Sequence, residues 1–127
     1  HKYEKNQGGA FDIEAYSKMR NVFSRFGLGV STGVDIPSEA TGYEGNSNIL
    51  GNLLDLSIGQ FDTYTPIQMV QYISTVANDG QRMEAHLLKE VHEANNGDEL
   101  SKNILYQYTP KVMNTVNIDQ KYFDIVK

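Results

Sequence analysis

The tetrapeptide Thr65-Pro66-Ile67-Gln68 leaves the middle of this chain little freedom. A threonine hydroxyl at the N-cap accepts from the N3 amide, while a glutamine at N3 returns to the cap amide. Proline at the first helical position brings its fixed φ and lacks only an N–H that the first turn would leave unbonded anyway. Met69, Val70, Ile73, Val76 and Ala77 follow at helical spacing and predict an apolar face turned to a core. Asn78-Asp79-Gly80 tolerates positive φ and ends the helix.

Other elements are read around this one. Residues 1–10, HKYEKNQGGA, are polar and glycine-containing and predict a loop or linker. From Asp12 to Phe26 the pattern is helical, with Tyr16, Met19, Phe23 and Phe26 as a core stripe, Asp12 as N-cap and Gly27 as the left-handed C′ residue. The nineteen residues from Gly27 to Gly45 hold five glycines and one proline, and predict an ordered loop anchored by Val30, Val34 and Ile36. Ile49, Leu50, Leu53 and Leu54 suggest a short helix or turn within Asn46 to Leu56. Beyond the central helix, Arg82 to Glu93 reads as a strand, Asn95-Asn96-Gly97-Asp98 as a hairpin turn and Ile104 to Tyr108 as the returning strand. Asn117-Ile118-Asp119-Gln120 offers a second cap, with Ile118, Tyr122 and Ile125 as the stripe of a last helix that has no stop signal before Lys127.

Composition narrows the function classes. A net charge of −5 with 11 scattered basic residues gives no concentrated patch for phosphate, which argues against nucleic acid. No cysteine is present, so disulfides, thiolate nucleophiles and thiolate metal sites are excluded. That absence is compatible with an extracytoplasmic bacterial protein and with many cytosolic domains. No run approaches the roughly 20 apolar residues of a membrane span. A mean hydropathy of −0.47 is polar for a self-sufficient globule, so some apolar contacts are expected outside the chain.

Site chemistry is mostly excluded too. His1, His86 and His92 show no metal-ligand spacing, and no metal or cofactor is expected. Gly27-Leu28-Gly29 lacks the rest of any phosphate loop, and Asp35 and Glu39 read as solvated loop charges. A serine nucleophile needs a base within hydrogen-bond reach, yet none of the eight serines has lysine three positions later. Ser101-Lys102-Asn103 fits S-x-N beside a hairpin, and Ser31-Thr32-Gly33 resembles the tail of K-T-G but follows Val30, without the cation.

Two segments, taken together, resemble the transpeptidase domain of class B penicillin-binding proteins. The first is Phe26-Gly27-Leu28-Gly29-Val30-Ser31-Thr32-Gly33-Val34-Asp35-Ile36-Pro37-Ser38-Glu39-Ala40-Thr41-Gly42. The second is the succession Leu56-Ser57-Ile58-Gly59-Gln60, Thr65-Pro66-Ile67-Gln68-Met69 and Val76-Ala77-Asn78-Asp79-Gly80. With its flanks the likeness spans Val22 to Val126. In that family this stretch lies between the S-x-N and K-T-G motifs. The resemblance therefore implies that residues 1–127 are a partial transpeptidase domain that begins after S-x-N, with a last helix that runs on toward K-T-G. The implied fold class is an α/β (α+β) fragment. It comprises the mainly helical part and a peripheral β-hairpin of a penicillin-binding-protein/β-lactamase-like domain.

The resemblance also implies a function. The parent would be a membrane-anchored D-alanyl-D-alanine transpeptidase that cross-links peptidoglycan on the extracytoplasmic face through a serine acyl-enzyme. Its partners would be peptidoglycan stem peptides, β-lactams bound covalently, and membrane proteins of cell division or elongation. With the catalytic motifs outside it, this segment alone would be inactive and marginal in stability. By position Gly59, Gln60 and Phe61 would line the substrate cleft. Gln60 would either hydrogen-bond a peptide or brace its own loop. Phe61, where the family usually has glycine, would either narrow the cleft or fill a core pocket. A β-lactam sensor domain would differ by a cytoplasmic signalling module, and a non-catalytic scaffold of the same fold by a parent lacking S-x-x-K.

Overall fold

Eight elements follow one another in the computed structural model, which describes residues 9–46, 50–97 and 99–127. They are α1 (Gly9–Arg25), α2 (Leu50–Ser57), α3 (Pro66–Ala77), β1 (Gln81–Met83), β2 (Glu90–His92), β3 (Ile104–Gln107), β4 (Val112–Thr115) and α4 (Gln120–Val126). Helix α1 starts at Gly9, ahead of the expected Asp12 cap, so Gly9 and Ala10 are helical rather than loop. Residues 1–8 lie outside the described residues. Its C-terminus closes as the pattern predicts. Gly27, at φ 100°, donates to Ser24 O at 3.0 Å, and Leu28 donates to Phe23 O at 3.1 Å, the paired bonds of a Schellman motif.

The main apolar cluster joins α1 to α2. Ala15, Tyr16, Leu53 and Leu56 are buried, with Met19, Phe23 and Phe61 packed around them. Phe26 extends the α1 stripe to α3, where its ring meets Tyr72 edge-on at 5.8 Å. In α2 the inward residues are Leu53 and Leu56, whereas Leu54 is exposed; Ile49 lies outside the described residues.

The capping box of α3 forms as predicted, with Thr65 N donating to Gln68 Oε1 at 3.0 Å. Its packing is the reverse of the expectation. Gln68, Gln71 and Thr75 are its buried residues, while Met69, Val70 and Ile73 are exposed. Helix α4 repeats the reversal. Asp119, not Asn117, is its cap, Phe123 is its buried residue, and Ile118, Tyr122 and Ile125 all face outward.

The expected strand from Arg82 to Glu93 is divided. β2 pairs antiparallel with β3, as the hairpin reading requires, while β1 pairs antiparallel with β4, which sequence reasoning missed. Together they form one nested ribbon, still tied between the two pairs by Glu84 N to Lys111 O at 2.9 Å and Tyr108 N to Lys89 O at 2.8 Å. The break has a cause. Ala85 N donates to Thr32 O, and Leu87 N and Leu88 N donate to the Asp35 carboxylate, so residues 85–88 bond to the glycine-rich loop instead of to a strand. That loop forms no strand of its own. Val34 is buried within it, whereas Ile36 is 46% exposed and anchors nothing here.

Candidate functional site

The three residues nominated from sequence occupy the turn after α2. Gly59 N donates to Leu56 O at 3.1 Å and Gln60 N to Asp55 O at 2.9 Å, a second Schellman closure that requires the left-handed φ of 78° at Gly59. A Cβ on Gly59 would meet nothing within 4 Å, so its backbone borders open space. Gln60 is exposed beside it. Phe61 turns the other way. Its ring packs on Tyr16 at 5.7 Å and lies so close to Gly45 that a Cβ there would be 2.6 Å from it. Of the two roles open to Phe61, the geometry displays the pocket-filling one.

What holds this turn still is Asp62. Its side chain is 3% exposed and accepts from Arg20 Nε at 2.8 Å, from Arg20 Nη2 at 2.7 Å and from Gly45 N at 2.9 Å. Burial pushes the Asp62 carboxyl up, but the bonds from Arg20 and Gly45 outweigh it, and its pKa lies below the ordinary value. Arg20 also donates to Glu44 and to Gly45 O, each at 2.7 Å, so one guanidinium links α1 to both neighbouring segments. One residue further on, Tyr43 and Thr63 exchange backbone bonds of 3.0 and 2.9 Å. The resulting frame borders a cavity of about 350 Å³ lined by α1 and by residues 28–30, 41–44 and 62–64.

The glycine-rich loop is held by side chains. Gln68 Nε2 donates to Val30 O at 2.8 Å and Thr41 O at 3.1 Å; Gln71 Nε2 donates to Thr32 O at 3.0 Å and Met83 O at 2.7 Å. Arg82, 6% exposed, donates to Gln71 Oε1, to Asn114 Oδ1 and to Ser31 O. Burial lowers the pKa of its guanidinium. Glu39 is a half-buried structural acceptor rather than a solvated charge, whereas Asp35 is exposed as expected and also accepts from the segment after β1. Glu39 takes Ser31 Oγ at 2.6 Å and Thr32 Oγ1 at 2.5 Å. Burial raises its carboxyl, and these bonds more than reverse the shift. The Leu87 and Leu88 amides lower that of Asp35.

The remaining residues singled out in the sequence have partners within the chain. Ser31 and Thr32 are engaged by Glu39, and Ser101 sits in the β2–β3 loop, where its carbonyl meets His92 Nδ1 at 2.5 Å. His86 stacks on Tyr108 at 3.6 Å. Among the described residues no cluster of three or more His, Asp or Glu side chains is arranged to hold a metal. Sequence reasoning missed Arg20, Asp62, Gln71 and Arg82; their partners lie 11 to 51 residues away, and no local pattern marks such bonds.

Comparison with known proteins agrees with this geometry. The family model described as the penicillin-binding protein transpeptidase domain matches residues 12–127. Penicillin-binding protein 2A of Bacillus subtilis (strain 168) is 44% identical over 125 residues, which cover 98% of this chain and 17% of that protein. Penicillin-binding protein H of the same organism is 48% identical over 101 residues, 79% of this chain and 14% of its own length. Among solved structures, penicillin-binding protein 2B of Streptococcus pneumoniae (strain 5204) superposes with a TM-score of 0.84 at 33% identity, over 94% of this chain and 20% of that one. The chain thus spans about one-sixth of the length of the curated relatives it matches.

Proposed function

The chain belongs to the penicillin-binding-protein transpeptidase family, and from that premise we propose that it is part of a longer membrane-anchored D-alanyl-D-alanine transpeptidase. The observation that carries the reading is the family match across residues 12–127, on a fold that superposes over 94% of the chain. The parent cross-links peptidoglycan stem peptides outside the cytoplasmic membrane. Its nucleophile is a serine elsewhere in the polypeptide, since no serine here has a lysine one helical turn away. The parent's other partners are membrane proteins of cell division or elongation.

The contribution of this segment is a wall. Gly59 and Gln60 border the substrate cleft, and Phe61 anchors them from behind through Tyr16. The exposed Gln60 amide would hydrogen-bond a peptide backbone, and the Asp62–Arg20 pair holds the turn against α1.

The test is intact mass after incubation with a penicillin, on the longer polypeptide and on this 127-residue chain. The serine oxygen attacks the lactam carbonyl, the ring C–N bond breaks, and the nitrogen takes the proton. The whole drug is therefore added. One adduct on the longer polypeptide, mapped to a serine outside residues 1–127, is expected, with none on this chain alone. An adduct within residues 1–127, or none on the longer polypeptide, overturns the proposal.

A further inference from the structure

The connection between β2 and β3 holds a residue pair whose chemistry the fold leaves open. Asn96-Gly97 is the one Asn-Gly pair in the sequence, and Asp79-Gly80 is the one Asp-Gly pair. In both, the glycine nitrogen can close a succinimide ring on the preceding side-chain carbonyl carbon, because glycine has no Cβ to crowd the approach. Their surroundings differ. Gly80 is buried and its N–H donates to Thr75 O at 2.8 Å, so the nucleophile is held at the end of α3. The Asp79 carboxylate is held as well, by Lys127 and by Gln120 Nε2 at 2.5 Å, and these bonds lower its pKa. It stays ionised at neutral pH, and an ionised carboxylate is a poor target for a nucleophile.

Neither restraint is present at Asn96. Asn95, Asn96 and Gly97 are all exposed, and among the described residues the Asn96 side chain has no hydrogen-bond partner. Gly97 N donates to Asn95 Oδ1 at 3.2 Å, a single bond between exposed groups that local opening frees. Asn95 Nδ2 donates to Glu99 O at 3.0 Å and closes the loop around the pair. We infer that Asn96 is a site of spontaneous deamidation. Gly97 N loses its proton and attacks Asn96 Cγ. The N–Cγ bond forms, the Cγ–Nδ2 bond breaks, and the side-chain nitrogen leaves as ammonia with a proton restored to it. Water then opens the succinimide at either carbonyl, which gives aspartate or isoaspartate. Each product adds a carboxylate to a loop that already exposes Glu93 and Glu99. Isoaspartate also lengthens the main chain by a carbon atom inside the closure that Asn95 makes with Glu99.

Peptide mapping by mass spectrometry tests this on the longer polypeptide, aged folded and in denaturant under the same mildly alkaline conditions. The exchange of ammonia for water marks each event by mass, and electron-based fragmentation separates isoaspartate from aspartate. Within residues 1–127, Asn96 is expected to react first, with isoaspartate among the products. Its folded rate is expected to lie within about tenfold of the denatured rate. Asp79 is expected to isomerise only in denaturant. A faster asparagine elsewhere in these residues, or folding that slows Asn96 by more than that factor, overturns the inference. Gly97→Ala supplies a second arm. A Cβ there would meet nothing nearer than Asn95 Oδ1 at 3.9 Å, so the loop is expected to form, and deamidation to slow about tenfold or more. A smaller effect would exclude the Gly97 nitrogen as the nucleophile and overturn the inference as well.

Discussion

Replacing Asp62 by alanine removes the carboxylate through which the turn after α2 is tied to both Arg20 of α1 and Gly45. Its carboxylate receives three hydrogen bonds of 2.7 to 2.9 Å at a site where its side chain is 3% exposed. In Asp62→Ala the buried Gly45 N–H loses its acceptor, and Arg20 loses two. Breaking a fully buried pair by removing one partner costs about 3–5 kcal/mol. Arg20 is only part-buried, at 22%, and keeps Glu44 and Gly45 O, so it can rehydrate at its outer edge. The expected cost is therefore about 2–3 kcal/mol, which is roughly a 30- to 150-fold rise in the local opening equilibrium.

Hydrogen exchange by mass spectrometry on a peptide spanning residues 43–46 reads that opening directly, without requiring two-state unfolding of a large polypeptide. The pH dependence gives a second test. Because the folded pKa of Asp62 is depressed, its contribution is complete above the unfolded value of about 3.9 and is lost as pH falls through the lower folded value. After correction for intrinsic exchange, the parent should lose protection at Gly45 over that acid window, and Asp62→Ala should show no such loss. A change of less than about threefold at neutral pH, or an acid dependence that survives the substitution, would refute the reasoning.

Two other perturbations separate closely related causes. Gly80 and Gly59 both sit at positive φ, 83° and 78°, but a Cβ on Gly80 would lie 2.7 Å from Val116 O and 2.9 Å from Phe123 Cζ, whereas one on Gly59 meets nothing. Gly59→Ala should thus cost only the conformational term of about 1–2 kcal/mol, and Gly80→Ala that term plus about 1–3 kcal/mol of overpacking; equal losses in thermal unfolding would contradict the packing read at Gly80. His92 has a raised pKa because its Nδ1 bonds Ser101 O and its Nε2 lies 3.2 Å from Glu90. Its contribution is complete below the unfolded value of about 6.5 and is lost as pH rises through the raised folded value, so exchange protection of the β2–β3 hairpin should fall over that window in the parent and not in His92→Gln.

How much was legible follows from how far each interaction reaches along the chain. The α3 cap was readable because Thr65 and Gln68 satisfy one another within one turn, and Gly27 because a Schellman closure is equally local. The bonds that shape the site are not local. Asp62 reaches Arg20 across 42 residues, Asp35 reaches Leu87 across 52, and β4 pairs with β1 from 29 to 34 residues away, so Asp35 looked like a free charge. Gly59, Gln60 and Phe61 were placed only by resemblance; nothing in their spacing distinguishes the exposed pair from the ring that turns inward.

The reversed helices were misread for a physical reason that also explains α3. Periodicity says that a helix has an apolar side; it does not say which neighbour covers that side. The 27–45 loop threads through left-handed positions at Gly27, Gly29, Gly33 and Gly42, a path that cannot run as a strand. Thr32 O and Tyr43 O still receive backbone donors, but other carbonyls of the loop find no ladder partner and are taken by side-chain donors. Gln68 serves Val30 and Thr41, Gln71 serves Thr32, and Arg82 serves Ser31. Once the loop requires amides on that face, the apolar residues of α3 can only lie on the opposite one. The glycine-rich loop thus accounts for the polar face that α3 turns inward and for the exposure of Met69, Val70 and Ile73 on the other.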